Sequence, residues 1–177
     1  MTVPQLGYSV LPSRSGNADA PLIVLGPSLG TTSAVWDAVA SGLADEYRVL
    51  RYDLPGHGGS PAADDSFSVA ELGSAVVELV DAAGGGPFFY AGDSLGSAVG
   101  LTLATGWPER VLGLVAFCAG ATFGTPAGWA SRAAQVRASG TESVVDMSRA
   151  RWYAPGFLDR EPVLAAATLD GLREVDD

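Results

Sequence analysis

Two serines lie in Gly-x-Ser-x-Gly sequences, a pattern that can hold a nucleophilic hydroxyl in a sharp turn between a strand and a helix. Ser94 lies in Gly-Asp-Ser-Leu-Gly at 92–96, and Ser28 lies in Gly-Pro-Ser-Leu-Gly at 26–30. With 23 glycines in the chain, such a pattern also arises by chance. An apolar segment precedes both serines, so the residues that follow each one must decide between them.

The residues that follow Ser94 favour it as the nucleophile. In such a turn the strand and the helix approach closely, so the neighbouring side chains must be small. The small residues around Ser94 are Gly92, Gly96, Ser97, Ala98 and Gly100. A helix that begins at once also directs backbone N–H groups toward negative charge that develops on a substrate. The alternative is a glycine-rich junction that only packs tightly.

Neither Ser28 nor His57 meets the requirements of a catalytic residue as well. Ser28 precedes Thr-Thr-Ser at 31–33, which is typical of a loop that ends in a helix cap. His57 is the one histidine of the chain and the obvious candidate base, but it lies in a glycine-rich turn where a structural role is more frequent. The triad order for this type of turn is serine, acid, histidine. Because His57 precedes Ser94, we predict a structural role for it.

The composition fits a globular protein and excludes some classes of partner. The 177 residues are 47% hydrophobic and 17% charged, which is enough for a substantial core. The net charge of −10 repels phosphate backbones and anionic lipids, so we expect neither nucleic-acid nor membrane binding. Residues 1–7 show no signal peptide and the apolar run 111–121 is too short to span a bilayer, which predicts a cytoplasmic protein. Cys118 lies in that run and is expected to be a buried thiol.

Apolar strands alternate with helices over residues 8–118. The predicted strands are 8–11, 22–25, 47–53, 88–91 and 111–118. The predicted helices are 33–44, 69–83 and 94–106, and the second opens with a capping box at Ser68 and Glu71. Continuously apolar strands and short glycine-rich junctions predict an α/β fold with a doubly wound, mostly parallel sheet, in which 8–11 is an edge strand.

The pattern changes after Gly120. The segments 127–139, 142–153 and 161–173 look helical, with no strand pattern between them. We therefore predict two domains, an α/β core over 1–120 and an α-helical insertion over 121–177.

Several segments carry a family resemblance. They are 27–32 with Trp36, 48–53 continuing into 56–60, 107–111, and 124–126 with Trp129 and Arg132. Together with the turn at Ser94 they resemble the 3-oxoadipate enol-lactonases, α/β-hydrolases of the protocatechuate branch of aromatic catabolism. The Gly-His-Gly turn and the serine turn occur in many α/β-hydrolases, whereas Leu-Gly-Thr-Thr at 29–32 is narrower. The resemblance covers most of the chain and implies an α/β-hydrolase fold in which 121–177 begin a helical cap.

The resemblance implies a serine hydrolase that opens 3-oxoadipate enol-lactone to 3-oxoadipate without a metal or organic cofactor. Ser94 would attack the lactone carbonyl, and the backbone N–H groups of Leu29 and Leu95 would form the oxyanion hole. Arg132 is the candidate for binding the substrate carboxylate, and Trp129 for an apolar wall above the nucleophile. For Trp129 the alternative is simple packing, and for Arg132 it is a solvated surface position.

The resemblance also predicts what the chain lacks. Members of the family continue beyond the cap to two strands that carry the acid and the histidine, whereas 169–177 resemble the middle of the cap. We therefore expect a truncated chain that hydrolyses the lactone poorly by itself. Its expected partners are a small anionic lactone and either its own missing C-terminal segment or a second copy. Asp93 stands where the family often has an apolar residue.

Two other functions stay open. One is a different hydrolase of the superfamily, such as an esterase or a carbon–carbon bond hydrolase. The other is a non-catalytic ligand-binding module that keeps the serine turn. The sequence as it stands favours this module, because no histidine follows Ser94.

Overall fold

The computed structural model describes residues 3–176 of the chain. Contacts within the chain divide it into two compact units, Met1–Ala119 and Gly120–Asp177. The first unit contains the sheet, and the second consists of helices and their connections.

The first unit is built on a five-stranded sheet with the strand order β1-β3-β2-β4-β5. The strands are β1 (Tyr8–Leu11), β2 (Leu22–Gly26), β3 (Arg48–Tyr52), β4 (Phe88–Asp93) and β5 (Val111–Phe117). β1 pairs with β3 in the antiparallel direction, and all the other pairs are parallel. The predicted mostly parallel sheet, with β1 at an edge, is confirmed.

Helices follow the strands at the predicted places. A 3₁₀ helix (Ser33–Trp36) continues into α1 (Asp37–Leu43), and α2 (Val69–Ala82) and α3 (Leu95–Gly106) follow β3 and β4. The capping box of α2 is confirmed, because the Ser68 hydroxyl accepts from the Glu71 N–H and the Glu71 carboxylate accepts from the Ser68 N–H. Reciprocal capping of this kind satisfies two backbone donors that a helix start leaves free.

Buried side chains pack on both faces of the sheet, as expected for parallel strands. On one face Leu50 and Tyr90 pack with Val76 of α2 and Val99 of α3. On the other face the cluster is formed by Leu25, Trp36, Ala40, Ala44, Val49 and Ala91. The sheet is therefore covered by helices from both sides, which is the doubly wound arrangement that the sequence predicts.

The prediction that Cys118 is buried is wrong. β5 is the outermost strand of the sheet formed by the described residues, and Leu112, Val115 and Phe117 on it are about half exposed. Cys118 follows the last residue of this strand, has a positive φ of 51°, and is exposed. An apolar run predicts a strand, but only the order of the strands in the sheet decides whether its end is covered.

The second unit contains four α-helices and a 3₁₀ helix within the described residues. They are α4 (Pro126–Ser139), the 3₁₀ helix Thr141–Val144, α5 (Val145–Trp152), α6 (Phe157–Arg160) and α7 (Pro162–Arg173). Val144, Val145, Leu169 and Leu172 form a small buried cluster. The sequence did not indicate α6, because four residues are too few to show a helical period. Across residues 3–176, every helix is too short or too polar to cross a lipid bilayer.

Candidate active site

Ser94 occupies the turn between β4 and α3. Its φ is 51° and its ψ is −109°, a backbone conformation that non-glycine residues rarely adopt. α3 begins at Leu95, directly after it. Within the described residues the Ser94 hydroxyl makes no hydrogen bond. A strained, half-buried serine with a free hydroxyl at a helix start is the arrangement expected of a nucleophile elbow, and residues 92–97 are called the elbow below.

Close backbone packing makes the elbow dependent on glycine. A Cβ atom on Gly96 would overlap the backbone of Gly26 and Pro27, and one on Gly92 would overlap the backbone of Gly96 and Ser97. Side chains at these two positions would force the strand, the helix and the preceding loop apart. The small neighbours that the sequence shows are therefore a steric requirement of the turn.

The Phe117 carbonyl at the end of β5 holds the elbow in place. It accepts a hydrogen bond from the Ser94 N–H at 2.9 Å. The fully buried Ser97 hydroxyl lies 2.7 Å from the same oxygen and 2.6 Å from the Gly92 carbonyl, so its one proton is shared between them. These bonds connect the residues around Ser94 to both flanking strands. They keep the strained backbone of Ser94, with its positive φ, from relaxing.

The second serine lies in a loop, as predicted. Gly26 of β2 pairs in register with Gly92 of β4, so both glycine-serine sequences begin side by side at the carboxyl edge of the sheet. The Ser28 carbonyl accepts from the N–H of Thr31 at 3.1 Å and from its hydroxyl at 2.9 Å. This closes a turn in which Gly30, with a φ of 84°, has the conformation of the third residue of a type II turn. Residues 27–33 are called the 27–33 loop below.

Two backbone N–H groups at the edge of the sheet are unused. Among the hydrogen bonds of residues 3–176, none has the N–H of Leu29 or of Leu95 as its donor. The next N–H along each segment is occupied, since Gly30 donates to a histidine ring and Gly96 donates to the Pro27 carbonyl at 3.1 Å. The Gly96 bond also joins the 27–33 loop to the elbow. Free donors on two joined segments suit an oxyanion that forms beside Ser94.

His57 is one of the partners of the 27–33 loop. Its ring is buried, Nδ1 lies 2.8 Å from the Pro55 carbonyl, and Nε2 accepts from the Gly30 N–H at 3.0 Å. A carbonyl can only accept and an N–H can only donate, so the ring is neutral with its proton on Nδ1. Burial lowers the pKa of His57, against the opposing effects of the Pro55 carbonyl and of Asp53. These contacts agree with the predicted structural role.

Asp53 ties the turn after β3 to the same loop, and the sequence did not single it out. Its Oδ1 accepts from the Ser33 N–H at 2.6 Å, and its Oδ2 accepts from the Gly59 N–H at 2.9 Å. The Ser60 hydroxyl donates to the Asp53 carbonyl at 2.6 Å and accepts from the Gly7 N–H at 2.8 Å. Residues 53–60 are called the 53–60 turn below. An aspartate directly after a strand and before a glycine-rich turn is the signal that could have indicated this role.

Two buried tyrosines support the elbow from behind, and they too were not predicted. The Tyr90 hydroxyl donates to the Gly96 carbonyl at 3.0 Å, so the Tyr52 hydroxyl, 2.7 Å away, donates to Tyr90. Both lie close to Gly26, where a Cβ atom would meet their oxygens. Burial raises the pKa of both phenols, so both stay protonated near neutral pH.

Asp93 precedes the nucleophile on β4 and lies near Cys118, beyond the end of β5. Its carboxylate raises the pKa of the Cys118 thiol, through a hydrogen bond and through its negative charge. Asp93 is half-buried, and the strand pairing of β4 with β5 continues through it. The acidic residue therefore does not interrupt the strand that leads into the elbow.

Trp129 and Arg132 lie together on α4 of the helical unit. The Arg132 guanidinium carbon is 5.6 Å from the centre of the Trp129 ring, a cation–π geometry, and the Trp129 indole donates to the Phe123 carbonyl. Arg132 forms no ion pair among the described residues. Burial, followed by the charge of Arg151, lowers the pKa of Arg132. A half-buried cation without a carboxylate partner is suited to bind an anion.

The structure thus brings Ser94, Leu29 and Leu95 to one region of the first unit, and Trp129 and Arg132 to one helix of the second. The catalytic and binding roles of these residues stay predictions. Among residues 3–176, no group of three or more His, Cys, Asp or Glu side chains is placed to hold a metal ion.

Comparisons with known proteins identify the family. The family described as the alpha/beta hydrolase fold matches residues 21–170. The chain is 31% identical to 3-oxoadipate enol-lactonase 2 of Acinetobacter baylyi over 147 residues, which are 83% of this chain and 55% of that protein. It is 35% identical to a pimeloyl-[acyl-carrier protein] methyl ester esterase of Methylococcus capsulatus over 78% of this chain and 47% of that protein.

A solved structure agrees with these relatives. The enol-lactonase from Burkholderia xenovorans superimposes with a TM-score of 0.88 and 32% identity, over 97% of this chain and 65% of that one. The chain therefore spans about half to two thirds of the length of these relatives. The resemblance to enol-lactonases that the sequence motifs indicated is confirmed, and the chain belongs to the α/β-hydrolase family.

Proposed function

We propose that the protein is a serine hydrolase that opens an anionic enol-lactone, converting 3-oxoadipate enol-lactone to 3-oxoadipate. One observation carries the proposal: among the described residues Ser94 has a positive φ and a hydroxyl without a hydrogen bond, and the N–H groups of Leu29 and Leu95, likewise without an acceptor there, lie on two segments joined through Gly96 and Pro27. The lactone class is supported by the similarity to enol-lactonases of two organisms.

In the proposed reaction the Ser94 Oγ attacks the lactone carbonyl and the oxyanion accepts hydrogen bonds from Leu29 and Leu95. The carbon–oxygen bond of the ring breaks, and the enolate that leaves takes a proton and becomes a ketone. Water then hydrolyses the acyl-enzyme. The base that removes the Ser94 proton must be a group other than His57, because both ring nitrogens of His57 are engaged.

Arg132 is proposed to bind the free carboxylate of the substrate. A net charge of −10 gives anions no general attraction, so a local cation has to supply it. Arg132 is half-buried and has no carboxylate partner among the described residues, whereas Arg137 on the same helix is exposed. Trp129, which packs against Arg132, would restrict the orientation of the guanidinium.

A simple ester hydrolase is the second candidate. It is favoured by the similarity to the methyl ester esterase of Methylococcus capsulatus, which extends over 78% of this chain. Both candidates use the same nucleophile and oxyanion donors, and they differ in whether a carboxylate on the substrate is required.

The test compares kcat/KM of the purified full-length protein on 3-oxoadipate enol-lactone and on a neutral lactone or methyl ester of similar size. Arg132→Ala should lower kcat/KM on the anionic lactone by about 10- to 100-fold, mainly by raising KM. This loss corresponds to the free energy of a hydrogen bond to a charged group. It should change the neutral substrate little, and Arg137→Ala is the matched control on the same helix.

The possible results separate the candidates. Equal losses on both substrates would defeat the assignment of Arg132, and a clear preference of the wild type for the neutral ester would favour the esterase. If a fluorophosphonate probe failed to label Ser94, the protein would be a non-catalytic binding module, the alternative from another functional class.

A further inference from the structure

Hydrogen bonds from two other segments fix the 27–33 loop along its whole length. At its start the Pro27 carbonyl accepts from the elbow at 3.1 Å. In its middle the Gly30 N–H donates to Nε2 of His57 at 3.0 Å, and near its end the Ser33 N–H donates to Asp53 at 2.6 Å. The middle and end contacts both come from the 53–60 turn, which therefore determines the shape of the loop.

We infer that His57 is a positioning residue for catalysis, which holds the Gly30 N–H and so fixes the neighbouring N–H of Leu29 as an oxyanion donor. The inference rests on the proposed function, since it assigns a role in the stabilisation of the oxyanion. It adds a residue from the 53–60 turn to a site whose other members come from the elbow and the 27–33 loop.

The two peptide planes on either side of Leu29 are held by different partners. The Ser28 carbonyl, which shares a peptide plane with the Leu29 N–H, accepts from Thr31. The Gly30 N–H, which belongs to the next peptide plane, donates to His57. The two planes together fix the backbone at Leu29, and loss of either contact leaves one of them free to rotate.

The cost of an unpaired buried donor explains why the loop would move without His57. Gly30 is buried, so removal of the imidazole leaves its N–H without the protein acceptor that it has in the structure. A glycine with positive φ can rotate its peptide at low steric cost, and type I and type II turns differ by such a rotation. The 29–30 peptide plane would therefore rotate to find another acceptor, and the turn from Ser28 to Thr31, which holds the peptide plane of the Leu29 N–H, would shift with it.

The neutral imidazole is well suited to this task. Its Nδ1 proton is used by the Pro55 carbonyl, which leaves the Nε2 lone pair for Gly30. The pKa of His57 is lowered by burial, and Asp53 is the charged group that acts on it in the opposite direction. The acceptor is therefore present at neutral pH, and protonation would convert it to a donor facing a donor.

Two variants separate the contacts of His57. The Oε1 of Gln in His57→Gln can reach the position of Nε2 and accept from Gly30, although the bond to Pro55 is lost. The shorter amide in His57→Asn can replace Nδ1 and donate to Pro55, but it cannot reach Gly30. Each variant is the control for the other, because both replace the ring by a neutral amide.

The experiment uses the full-length protein and measures kcat and KM on the enol-lactone, or on an ester if the wild type prefers it. It also measures the hydrogen-exchange protection of the Gly30 amide and the thermal midpoint. We expect His57→Asn to lower kcat by about 10- to 100-fold with KM within about twofold, because the donor acts mainly in the transition state. We expect His57→Gln to retain kcat within about fivefold of the wild type. Protection of Gly30 should fall only in His57→Asn.

Equal kcat losses in the two variants, or losses that follow the thermal midpoint alone, would overturn the inference, and so would a normal kcat in His57→Asn. If His57→Asn does not fold, the comparison of the wild type with His57→Gln decides. Retention of both Gly30 protection and kcat within about fivefold supports the role, and loss of either without a matching fall of the thermal midpoint rejects it. A wild type that hydrolyses neither substrate would refute the proposed function, while Gly30 protection would still show whether His57 holds the loop.

Discussion

The two Gly-x-Ser-x-Gly segments begin at paired positions of neighbouring parallel strands, yet they fold differently. At 92–96 the serine itself has the positive φ and a 12-residue helix begins at the next residue. At 26–30 the last glycine has the positive φ, and a 3₁₀ helix begins only at Ser33. The left-handed residue is thus the serine itself in one segment and the glycine two positions later in the other, and a helix begins directly after the serine only in the first.

The two segments are complementary parts of one arrangement. Within residues 3–176, the elbow presents a free hydroxyl at Ser94 and an unused N–H at Leu95, and the 27–33 loop presents an unused N–H at Leu29. The elbow is held mainly by close backbone packing around glycine, whereas the loop is held by side chains of another turn. The two segments should therefore respond differently to substitution.

The largest difference is expected when each serine is replaced by alanine. Ser94→Ala should lower kcat on the preferred ester or lactone by about 10⁴-fold or more, because it removes the nucleophile. Ser28→Ala should leave kcat within about threefold, which corresponds to less than about 1 kcal/mol. Steady-state kinetics of the full-length protein measures both, and a larger effect at Ser28 would reverse the assignment.

A second contrast concerns the steric basis of the elbow. Gly96→Ala should lower the free energy of unfolding by about 3 kcal/mol or more, because its Cβ would overlap the backbone of Gly26 and Pro27. Gly42→Ala is the control, since a Cβ there meets nothing within 4 Å and an alanine in α1 should stabilise by about 0.5 to 1 kcal/mol. Urea denaturation provides the measurement, and similar values for the two variants would contradict close packing at the elbow.

The tyrosine pair behind the elbow should give a smaller effect. Tyr90→Phe leaves both the Gly96 carbonyl and the Tyr52 hydroxyl without their partner, which should cost about 1 to 3 kcal/mol. Tyr52→Phe leaves the bond to Gly96 intact and should cost about 1 kcal/mol. Tyr8 is exposed on β1, so Tyr8→Phe is the control and should have almost no effect. If Tyr52→Phe proved the more costly of the two, the assumed direction of the hydroxyl protons would be wrong.

The smallest expected effect is the response of the 27–33 loop to pH. The pKa of His57 is lowered from 6.5 in the folded protein, so below about pH 6.5 the unfolded chain binds a proton more readily. The stabilisation due to the neutral ring is therefore fully present above this pH and is lost as the pH falls through the lowered pKa. The free energy of unfolding between pH 7 and pH 5 should thus fall more in the wild type than in His57→Gln. Equal slopes would show that folding leaves the pKa of His57 unchanged.

Local patterns in the sequence predicted much of this molecule. The alternation of strands and helices, the capping box at Ser68 and the loop conformation at Ser28 each depend on residues that are close together in the chain. The contrast between the two serines could be predicted for the same reason, since the residues directly after each serine determine when a helix begins.

Contacts between distant segments could not be predicted in the same way. Tyr52 and Tyr90 are 38 positions apart, and their contact depends on the register of strands β3, β2 and β4. The bond from Gly30 to His57 spans 27 positions and requires that β2 and β3 are neighbours. The exposure of Cys118 depends on the position of β5 at the edge of the described sheet, which an apolar run does not specify.

The position of Cys118 has a practical consequence for spectroscopy. It is the one cysteine of the chain, it is exposed, and the preceding residue, Phe117, binds the Ser94 N–H through its carbonyl. A fluorophore or spin label attached there would report on ligands that arrive near the nucleophile, without any engineered cysteine. Because Asp93 raises the pKa of the thiol, the thiolate fraction at neutral pH is small, so alkylation by a maleimide should be slow and should accelerate as the pH rises.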